Sequence, residues 1–347
     1  MSWPRVHFLE TCDDVSGGNA KTPLTEVTSD GSLPIVDQGA SPIAGYVNEL
    51  ARIHKSDLPV IVFGDHTRRL KFVDFPFGMG ADGVKVLKAR KGVDAKFLFR
   101  YLESVQIPSN GYSRHFKFLK EIEVPLPPLA DQCRIAAILD RADTLRAKRR
   151  ESMRILETIV SSTYNEMFGA QSEFGLPGSM VPLGELVTFR SGKFLPAKAM
   201  AEAGKFPVFG GNGVNGYHDE YMFEDRQIVL GRVGAYCGCV HLTPVRSWVT
   251  DNALVVAPNV EDLDLDFLAI ALTQAELNQY SSQSGQPLIS GSRIGKVMVP
   301  VPPIDIQHAF AARIERVGSL RAANRAHLAE LDALFASLQH RAFSGER

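Results

Sequence analysis

Four loops of the sequence carry Arg, Lys, Gln or Asn side chains, and three of them also contain aromatic residues. Two of them span residues 64–72 (GDHTRRLKF) and 110–120 (NGYSRHFKFLK), and the other two span residues 231–236 (GRVGAY) and 281–293 (SSQSGQPLISGSR). Arg reads guanine and Gln or Asn reads adenine through paired hydrogen bonds, while Lys, Ser and backbone N–H groups hold phosphates. The candidate nucleic-acid contacts are Arg68, Arg69, Lys71, Tyr112, Arg114 and Lys117 in the first two loops and Arg232, Tyr236, Gln283, Ser284, Gln286 and Arg293 in the other two. Taken singly, such residues are more often solvated loop side chains; their placement in two equivalent sets favours a shared role.

Two other patterns indicate different chemistry. Residues 211–216 match G-x-G-x-x-G, but no helical pattern follows, so a glycine-rich turn is the better interpretation than a dinucleotide loop. Cys237, Cys239 and His241 alternate, with His218 upstream, which would place the three on one face of a strand. Their spacing does not fit the usual C-x₂₋₄-C zinc pattern, and we interpret them as half-buried strand residues.

The sequence contains none of the common catalytic motifs. It has no P-loop, no G-x-S-x-G, no H-E-x-x-H and no Asn/Asp-Pro-Pro-aromatic tetrapeptide of the kind that amino-methyltransferases use. Cys12 and Cys133 are solitary, and nothing marks either as a nucleophile. We therefore expect that the chain catalyses no reaction itself and holds no cofactor or metal.

The composition is that of an ordinary globular protein, with 347 residues of which 45% are hydrophobic. Four cysteines do not make a disulfide framework, and neither a membrane-spanning run nor a signal-like start is present, so we expect a cytoplasmic protein. Lys and Arg number 38 against 39 Asp and Glu, which excludes a bulk basic signature. The charge is uneven, because residues 52–120 hold 14 basic against 6 acidic residues and residues 170–303 hold 9 against 13.

An internal repeat organises the chain. Residues 125–169 align without a gap to residues 300–344, with 14 of 45 positions identical. Each copy opens with a Pro-Pro pair, at 127–128 and 302–303, and proline fits only the first turn of a helix. Gly169 and Gly345 indicate where the helices stop. The apolar seven-residue spacing predicts two helices of ~38 residues, ~57 Å long, that pack on each other. The seam residues are Ile135, Leu139, Ala142, Met153, Leu156 and Val160 in the first copy and Phe310, Ile314, Val317, Leu328, Leu331 and Phe335 in the second.

The segments that precede the two helices share a plan. Each has an apolar run leading to Gly-Tyr, two buried strands, a short helix and a strand that enters the prolines. The short helices are predicted at residues 94–102 and 264–272. The predicted fold class is α+β, with two similar β-rich globular domains joined by two long helices that form an antiparallel coiled coil with pseudo-twofold symmetry. The predicted segments are 1–128, 129–169, 170–303 and 304–347.

The duplicated PLPPLADQCRIAAILD and PVPPIDIQHAFAARIE, each leading a long helix, resemble the specificity subunit of Type I restriction–modification systems. Residues 63–83 and 111–128 are similar to target-recognition-domain sequence of that family, and the ending AFSGE is similar to its distal helix end. The resemblance implies that residues 1–128 and 170–303 are target-recognition domains, each reading half of a split DNA site, with the helices as a spacer of fixed length. Helices of ~57 Å can hold two such domains more than one duplex turn (~34 Å) apart.

The same resemblance implies partners that supply the catalysis. These are two modification subunits, which bind S-adenosylmethionine and methylate adenine, and restriction subunits, which cleave DNA using ATP and Mg²⁺. Two alternatives remain open from the residues alone. One is a stand-alone DNA-binding or anti-restriction protein of the same architecture without methylase partners. The other is an enzyme that uses Cys237, Cys239 and His241 with a metal, or the 211–216 loop with a nucleotide.

Overall fold

The computed structural model describes residues 3–108, 113–169, 179–282 and 285–344. The helices are α1 (Phe8–Thr11), α2 (Ala95–Ser104), α3 (Phe116–Leu119), α4 (Leu129–Phe168), α5 (Leu183–Leu186), α6 (Leu265–Gln274), α7 (Gly291–Ile294) and α8 (Ile304–Ser344). The strands before α4 are β1 (Arg5–His7), β2 (Cys12–Asp14), β3 (Lys21–Thr22), β4 (Leu33–Val36), β5 (Gly45–Val47), β6 (Val60–Gly64), β7 (Leu70–Val73), β8 (Gly78–Gly80), β9 (Val84–Ala89) and β10 (Glu123–Pro125). Those after α4 are β11 (Ser179–Pro182), β12 (Val187–Ser191), β13 (Phe206–Gly210), β14 (Gly213–His218), β15 (Ile228–Gly231), β16 (Val240–Leu242), β17 (Trp248–Val249), β18 (Ala253–Pro258) and β19 (Met298–Val301).

The chain divides into two compact units. Unit 1 comprises Met1–Arg150 and Ala326–Arg347, and unit 2 comprises Glu151–Arg325. Each long helix therefore gives one part to each unit, so the units do not follow the order of the four predicted segments. That four-part division stays a prediction.

Both units build the same sheets. Unit 1 has an antiparallel sheet in the order β2-β9-β6-β7, and unit 2 repeats it as β12-β18-β15-β16. The central strands β6 and β15 are buried along their whole length, which is why their sequences are continuous apolar runs. In unit 1, β4 pairs antiparallel with β5 and parallel with β8, and β13 does the same with β14 and β17 in unit 2. The predicted α+β class and the similarity of the two globular parts are confirmed.

The predicted short helices form, and both have the same N-cap. The Asp94 side chain accepts the backbone N–H of Phe97 at 2.7 Å, and Asp264 accepts that of Phe267 at 2.8 Å. A capping carboxylate satisfies an N–H that has no partner inside the helix. Both phenylalanines are fully buried and lie in the main apolar cluster of their own unit.

The long helices begin directly after the Pro-Pro pairs, as predicted. α4 has 40 residues and ends one residue before Gly169, and α8 has 41 described residues. At 1.5 Å per residue each is about 60 Å long. The other predicted stop, Gly345, lies outside the described residues. None of the helices in the described ranges is both long and apolar enough to cross a bilayer.

The two long helices pack on each other within each unit. In unit 1 the Arg146 guanidinium of α4 lies 4.3 Å from the ring centre of Phe335 on α8. In unit 2 the ring centres of Tyr164 on α4 and Phe310 on α8 are 6.0 Å apart. The start of α4 thus meets the end of α8, and the end of α4 meets the start of α8, which is antiparallel pairing. The predicted seam residues are all buried or half-buried.

Candidate nucleic-acid interface

In unit 1, Asp65 joins the two basic loops that the sequence places 50 residues apart. Its backbone carbonyl accepts the N–H of His115 at 2.9 Å, and its carboxylate accepts the N–H of Phe116 at 2.7 Å. Asp65 is itself buried and donates its own N–H to Gly83. The turn after β6 and the segment before α3 therefore form one continuous surface.

Beside this junction lies a hollow of about 400 Å³ with several polar and basic residues in its wall. The wall includes the predicted contact Arg114, whose side chain is exposed. It also includes Asn19, Lys21, His66 and Lys85, which the sequence analysis did not single out. Their loops are separated by up to 95 positions in the chain, so only the folded structure brings these cationic and amide groups together.

The remaining predicted residues of unit 1 are placed differently from one another. Arg68 lines a separate hollow of about 620 Å³ and donates to the carbonyl of Ile107 at 3.0 Å. Arg69 and Lys117 are exposed. The Lys71 side chain is only 10% exposed, and its Nζ forms an ion pair of 3.2 Å with Asp37. Tyr112 lies outside the described residues.

Lys85 also forms an ion pair at the end of β2. Its Nζ lies 2.7 Å from Asp14 and 5.1 Å from the ring centre of Phe116. Burial alone would raise the pKa of Asp14, but hydrogen bonds from Lys85 and Ser16 outweigh it and hold that pKa below its usual value. The carboxylate is therefore charged near neutral pH and fixes the position of the lysine at the hollow.

In unit 2, backbone hydrogen bonds also join the two predicted loops. The carbonyl of Arg232, after β15, accepts the N–H of Ile289 at 2.9 Å. Gly234 donates its N–H to the carbonyl of Pro287 at 3.0 Å. The turn 231–236 and the loop 285–290 thus form one surface, as the turn 64–69 and the segment 113–116 do in unit 1. The prediction that equivalent loops recur in the two globular parts is confirmed at the level of the backbone.

The side chains on this second surface are mostly accessible. Tyr236 is 53% exposed, and Gln286 and Arg293 are exposed as well. Arg232 is half-buried, and its guanidinium donates to the Ser191 hydroxyl at 3.4 Å. Gln283 and Ser284 lie outside the described residues.

The hydrogen bond to Ser191 identifies a loop that the sequence analysis missed. Ser191 ends β12 and begins this loop, residues 191–195, just as residues 15–20 follow β2 in unit 1 and border the hollow there. Both loops contain glycine, at 17–18 and at 192, but the sequence does not show that they lie beside the other contact loops.

The interpretation of Cys237, Cys239 and His241 as one strand face is wrong. Cys237 follows a short 3₁₀ turn, Gly238 has a φ of +90°, and β16 begins only at Val240. The Cys237 thiol is buried, burial raises its pKa, and it donates to the carbonyl of Arg232. Among the described residues no group of three His, Cys, Asp or Glu side chains is arranged to hold a metal ion.

The stretch 211–216 is a hairpin, as the glycine-rich-turn interpretation predicted. Gly211 and Asn212 connect β13 to β14, and no helix follows. A phosphate-binding loop of this type needs the N-terminus of a helix at this point, so residues 211–216 do not have the geometry of a dinucleotide-binding loop.

Burial raises the pKa of the Cys12 thiol to about 12, so that the thiol is protonated and a poor nucleophile near neutral pH.

Comparison with known proteins agrees with this duplicated arrangement. The family model of the Type I restriction modification DNA specificity domain matches residues 19–154 and again residues 179–333. The EcoprrI specificity subunit of Escherichia coli is 28% identical over 248 residues, which cover 65% of this chain and 62% of that protein. The putative MjaX specificity subunit of Methanocaldococcus jannaschii is 22% identical over 251 residues, covering 65% and 59%. The alignments thus span about three fifths of the length of these curated relatives.

Two solved structures share the fold. The crystal structure of a Type I restriction-modification S subunit from M. genitalium has a TM-score of 0.72 at 18% identity, over 99% of this chain and 96% of the other. A chain from a study of complex assembly and conformational transition in the type I R-M system has a TM-score of 0.53 at 18% identity, over 100% and 98%. The two family matches each cover one globular part with part of a long helix. The chain therefore belongs to the family of Type I restriction–modification DNA specificity domains.

Proposed function

We propose that the protein is the DNA sequence-recognition subunit of a Type I restriction–modification complex. The observation that carries the proposal is the double family match together with the repeated backbone junction at Asp65 and Arg232. Two copies of one recognition domain on a single chain read two different half-sites, because each copy presents its own set of side chains. The site is then bipartite and asymmetric.

Each unit reads one half-site through the loops joined at its junction. The first half-site is contacted by Arg68, Arg69, Lys71, Tyr112, Arg114 and Lys117, and the second by Arg232, Tyr236, Gln283, Ser284, Gln286 and Arg293. Within the first set, Arg114 is exposed at the wall of the hollow beside the Asp65 junction. The ion pair between Lys71 and Asp37 is mostly buried, so Lys71 can contact a phosphate only if it first breaks this ion pair.

The catalysis belongs to partner subunits. Two modification subunits that bind S-adenosylmethionine methylate adenine, taking the base out of the stack into their own pocket. Restriction subunits add ATP- and Mg²⁺-dependent cleavage. The relatives from Escherichia coli and Methanocaldococcus jannaschii are named specificity subunits, which supports this division of labour. The lack of bulk positive charge in this chain fits it too, because partners would supply much of the phosphate contact.

Methylation in a cell tests the proposal directly. The gene is expressed with its neighbouring modification gene in a host that lacks adenine methylation, and the methylome is sequenced with and without this chain. We expect methylation at one split, asymmetric motif only when both proteins are present, and co-purification of the two. DNA binding without a modification partner would contradict the proposal and favour a stand-alone DNA-binding protein.

A further inference from the structure

Phe194 lies on the surface of unit 2. Its side chain is 67% exposed, on the loop 191–195 that follows β12. Exposing most of a phenylalanine ring to water is unfavourable, by roughly the free energy that burial of its apolar area would return. A ring exposed to this extent is available to stack against the flat face of a nucleic-acid base.

The loop that carries Phe194 is fixed in place. Gly192 donates its N–H to the carbonyl of Ala253 at 3.2 Å, and Lys193 donates to that of Val249 at 2.9 Å. The indole N–H of Trp248 then donates to the carbonyl of Lys193 at 3.1 Å. A Cβ on Gly192 would overlap backbone carbonyl oxygens, so the chain approaches its neighbours there as only glycine allows. The exposed ring is thus presented by an ordered loop.

The sequence on either side of Phe194 is basic, in an otherwise acidic part of the chain. Residues 170–303 carry 9 basic and 13 acidic side chains. Yet between Glu185 and Glu202 the sequence has three basic residues, Arg190, Lys193 and Lys198, and no acidic one. All three are exposed. An aromatic ring among cations matches a polyanion with flat apolar faces, which is the chemistry of nucleic acid.

The loop also adjoins the proposed DNA-contacting turn. The guanidinium of Arg232 donates to the hydroxyl of Ser191, the first residue of the loop, at 3.4 Å. Phe194 therefore extends the surface formed by residues 231–236 and 285–290. The equivalent loop of unit 1, residues 15–20, follows β2 and contains no aromatic residue.

We propose that residues 191–195 form a third DNA-contacting loop of unit 2, in which Phe194 inserts between two base pairs of the second half-site while Lys193 contacts the adjacent phosphate. Inserted apolar side chains unstack a base step and kink the duplex, at a free-energy cost that the added contacts offset. The inference rests on the proposed function and adds to it an asymmetry. Unstacking by this loop occurs in the second half-site and has no counterpart in the first.

The test uses the complex of the full chain with its modification subunits. The DNA is a duplex that contains the motif found in the methylome, with 2-aminopurine placed at successive second-half-site positions other than the target adenine. Phe194→Ala should weaken binding roughly five- to 150-fold, the range set by loss of one aromatic–base contact. It should abolish the fluorescence increase that reports unstacking at one step. Phe194→Trp should preserve both properties.

Two further variants distinguish the effect of the Phe194 ring on DNA binding from the effect of a nearby positive charge and from that of any exposed apolar side chain. Lys193→Ala should lower the slope of log Kd against log salt concentration by about one, whereas Phe194→Ala should leave that slope unchanged. Val245→Ala removes another apolar side chain of unit 2 that is 60% exposed, and should alter neither binding nor fluorescence.

Clear outcomes would overturn the inference. Wild-type binding and fluorescence in the Phe194→Ala complex would refute it and leave the proposed function standing. Loss of co-purification with the modification subunits in the absence of DNA would also refute it, because Phe194 would then be a protein contact. If the wild-type complex neither binds nor methylates a specific duplex, the proposed function itself fails.

Discussion

Arg146 on α4 and Asp332 on α8 form an ion pair of 2.6 Å, and the internal repeat reproduces it. Adding 175 to the first number and subtracting 175 from the second gives Arg321 and Glu157, which form an ion pair of 3.1 Å. From one pair to the other the position on α4 rises by 11 and the position on α8 falls by 11, which requires that the two helices run in opposite directions. The polar residues near the middle of the seam therefore help to fix the antiparallel register.

The coupling between Arg146 and Asp332 should be measurable. The arginine is 18% exposed and the aspartate 44% exposed, so solvent screening limits the coupling free energy to about 0.5–1 kcal/mol. A double-mutant cycle with Arg146→Ala and Asp332→Ala, followed by urea unfolding, measures it. Each residue has a further ion-pair partner, Asp143 for Arg146 and Arg150 for Asp332, but only Arg146 also lies over a ring, that of Phe335, so Arg146→Ala alone should cost more than Asp332→Ala.

A pair on a single helix provides the control for this cycle. Arg154 and Glu151 are 2.7 Å apart on α4, and both are mostly exposed. Their cycle should give a smaller coupling than that of Arg146 and Asp332. Equal coupling in the two cycles would contradict a role of the interhelical pair in the register.

A second prediction concerns the glutamine of the Pro-Leu-Pro-Pro-Leu-x-x-Gln element. The Gln132 side chain accepts the N–H of Asp94 at 2.8 Å and donates to the carbonyls of Pro127 and Gly92. Gln307 repeats these bonds with Asp264, Pro302 and Asp262. Each glutamine thus ties the start of a long helix to the cap of the short helix in the same unit.

Replacing either glutamine by leucine should lower the free energy of unfolding by about 1–3 kcal/mol, because buried backbone groups lose their partners. Both side chains are essentially fully buried, so water cannot substitute for them. The midpoint of urea unfolding checks the effect for Gln132→Leu and Gln307→Leu. Gln286→Leu, at an exposed position, is the matched control and should leave the midpoint unchanged. An unchanged midpoint in Gln132→Leu would contradict a stabilising role of these buried hydrogen bonds.

A third prediction is a pH dependence from Asp14. Its folded pKa is lowered, so its contribution to stability is present above the unfolded pKa of about 4 and is lost as the pH falls below that value. Lys85→Met should therefore reduce stability near pH 7, by at most about 1 kcal/mol since both groups are a third exposed, and the deficit should shrink between pH 4 and pH 2 or so.

Lys120→Met is the control for that experiment. The Nζ of Lys120 lies 5.2 Å from the ring centre of Phe116, as the Nζ of Lys85 lies at 5.1 Å, so both changes remove a cation from the same ring. Only Lys85 pairs with Asp14. A deficit in Lys85→Met that stays constant down to pH 2, or one that Lys120→Met reproduces, would contradict the assignment.

A fourth prediction separates the two half-sites. Arg114→Ala should relax or abolish recognition of one half of the methylated motif, and Arg232→Ala should affect only the other half. Loss of one direct base contact corresponds to about 1–3 kcal/mol, hence roughly a five- to 150-fold change in preference at that position. Methylome sequencing of each variant reads both halves at once. Equal loss in both halves from Arg114→Ala would count against one domain per half-site.

The sequence was most informative where the signal was local or repeated. The Pro-Pro pairs located both helix starts, and the continuous apolar run at 60–64 identified a buried strand, because each depends on neighbouring residues alone. The alternation of Cys237 and Cys239 led to the wrong prediction of a strand, since Gly238 turns the backbone between them. Alternation predicts a strand only where the backbone stays extended.

The candidate site was predictable only in part, because it is assembled by tertiary contacts. Arg114 could be proposed from its loop, but its proximity to Lys85 depends on the bonds of Asp65 to residues 115 and 116. The pairing of Lys71 with an aspartate 34 positions earlier has no local signature. Phe194 was missed for the same reason, since the sequence does not show which loops adjoin.

The last prediction tests whether the long helices set the spacer of the DNA site. Removing residues 147–153 and 322–328, which correspond under the shift of 175, deletes one heptad from each helix and preserves the seam. The ion pairs Arg146–Asp332 and Arg321–Glu157 are both retained. Each helix becomes about 10 Å shorter. The methylated motif should keep both half-sites and lose up to about three base pairs from its spacer, because one base pair spans 3.4 Å.

A four-residue deletion in each helix is the control, because it breaks the register of the seam and should destabilise the protein instead. A heptad-deleted subunit that methylates the wild-type motif with the original spacer would refute the idea that the helices measure the site.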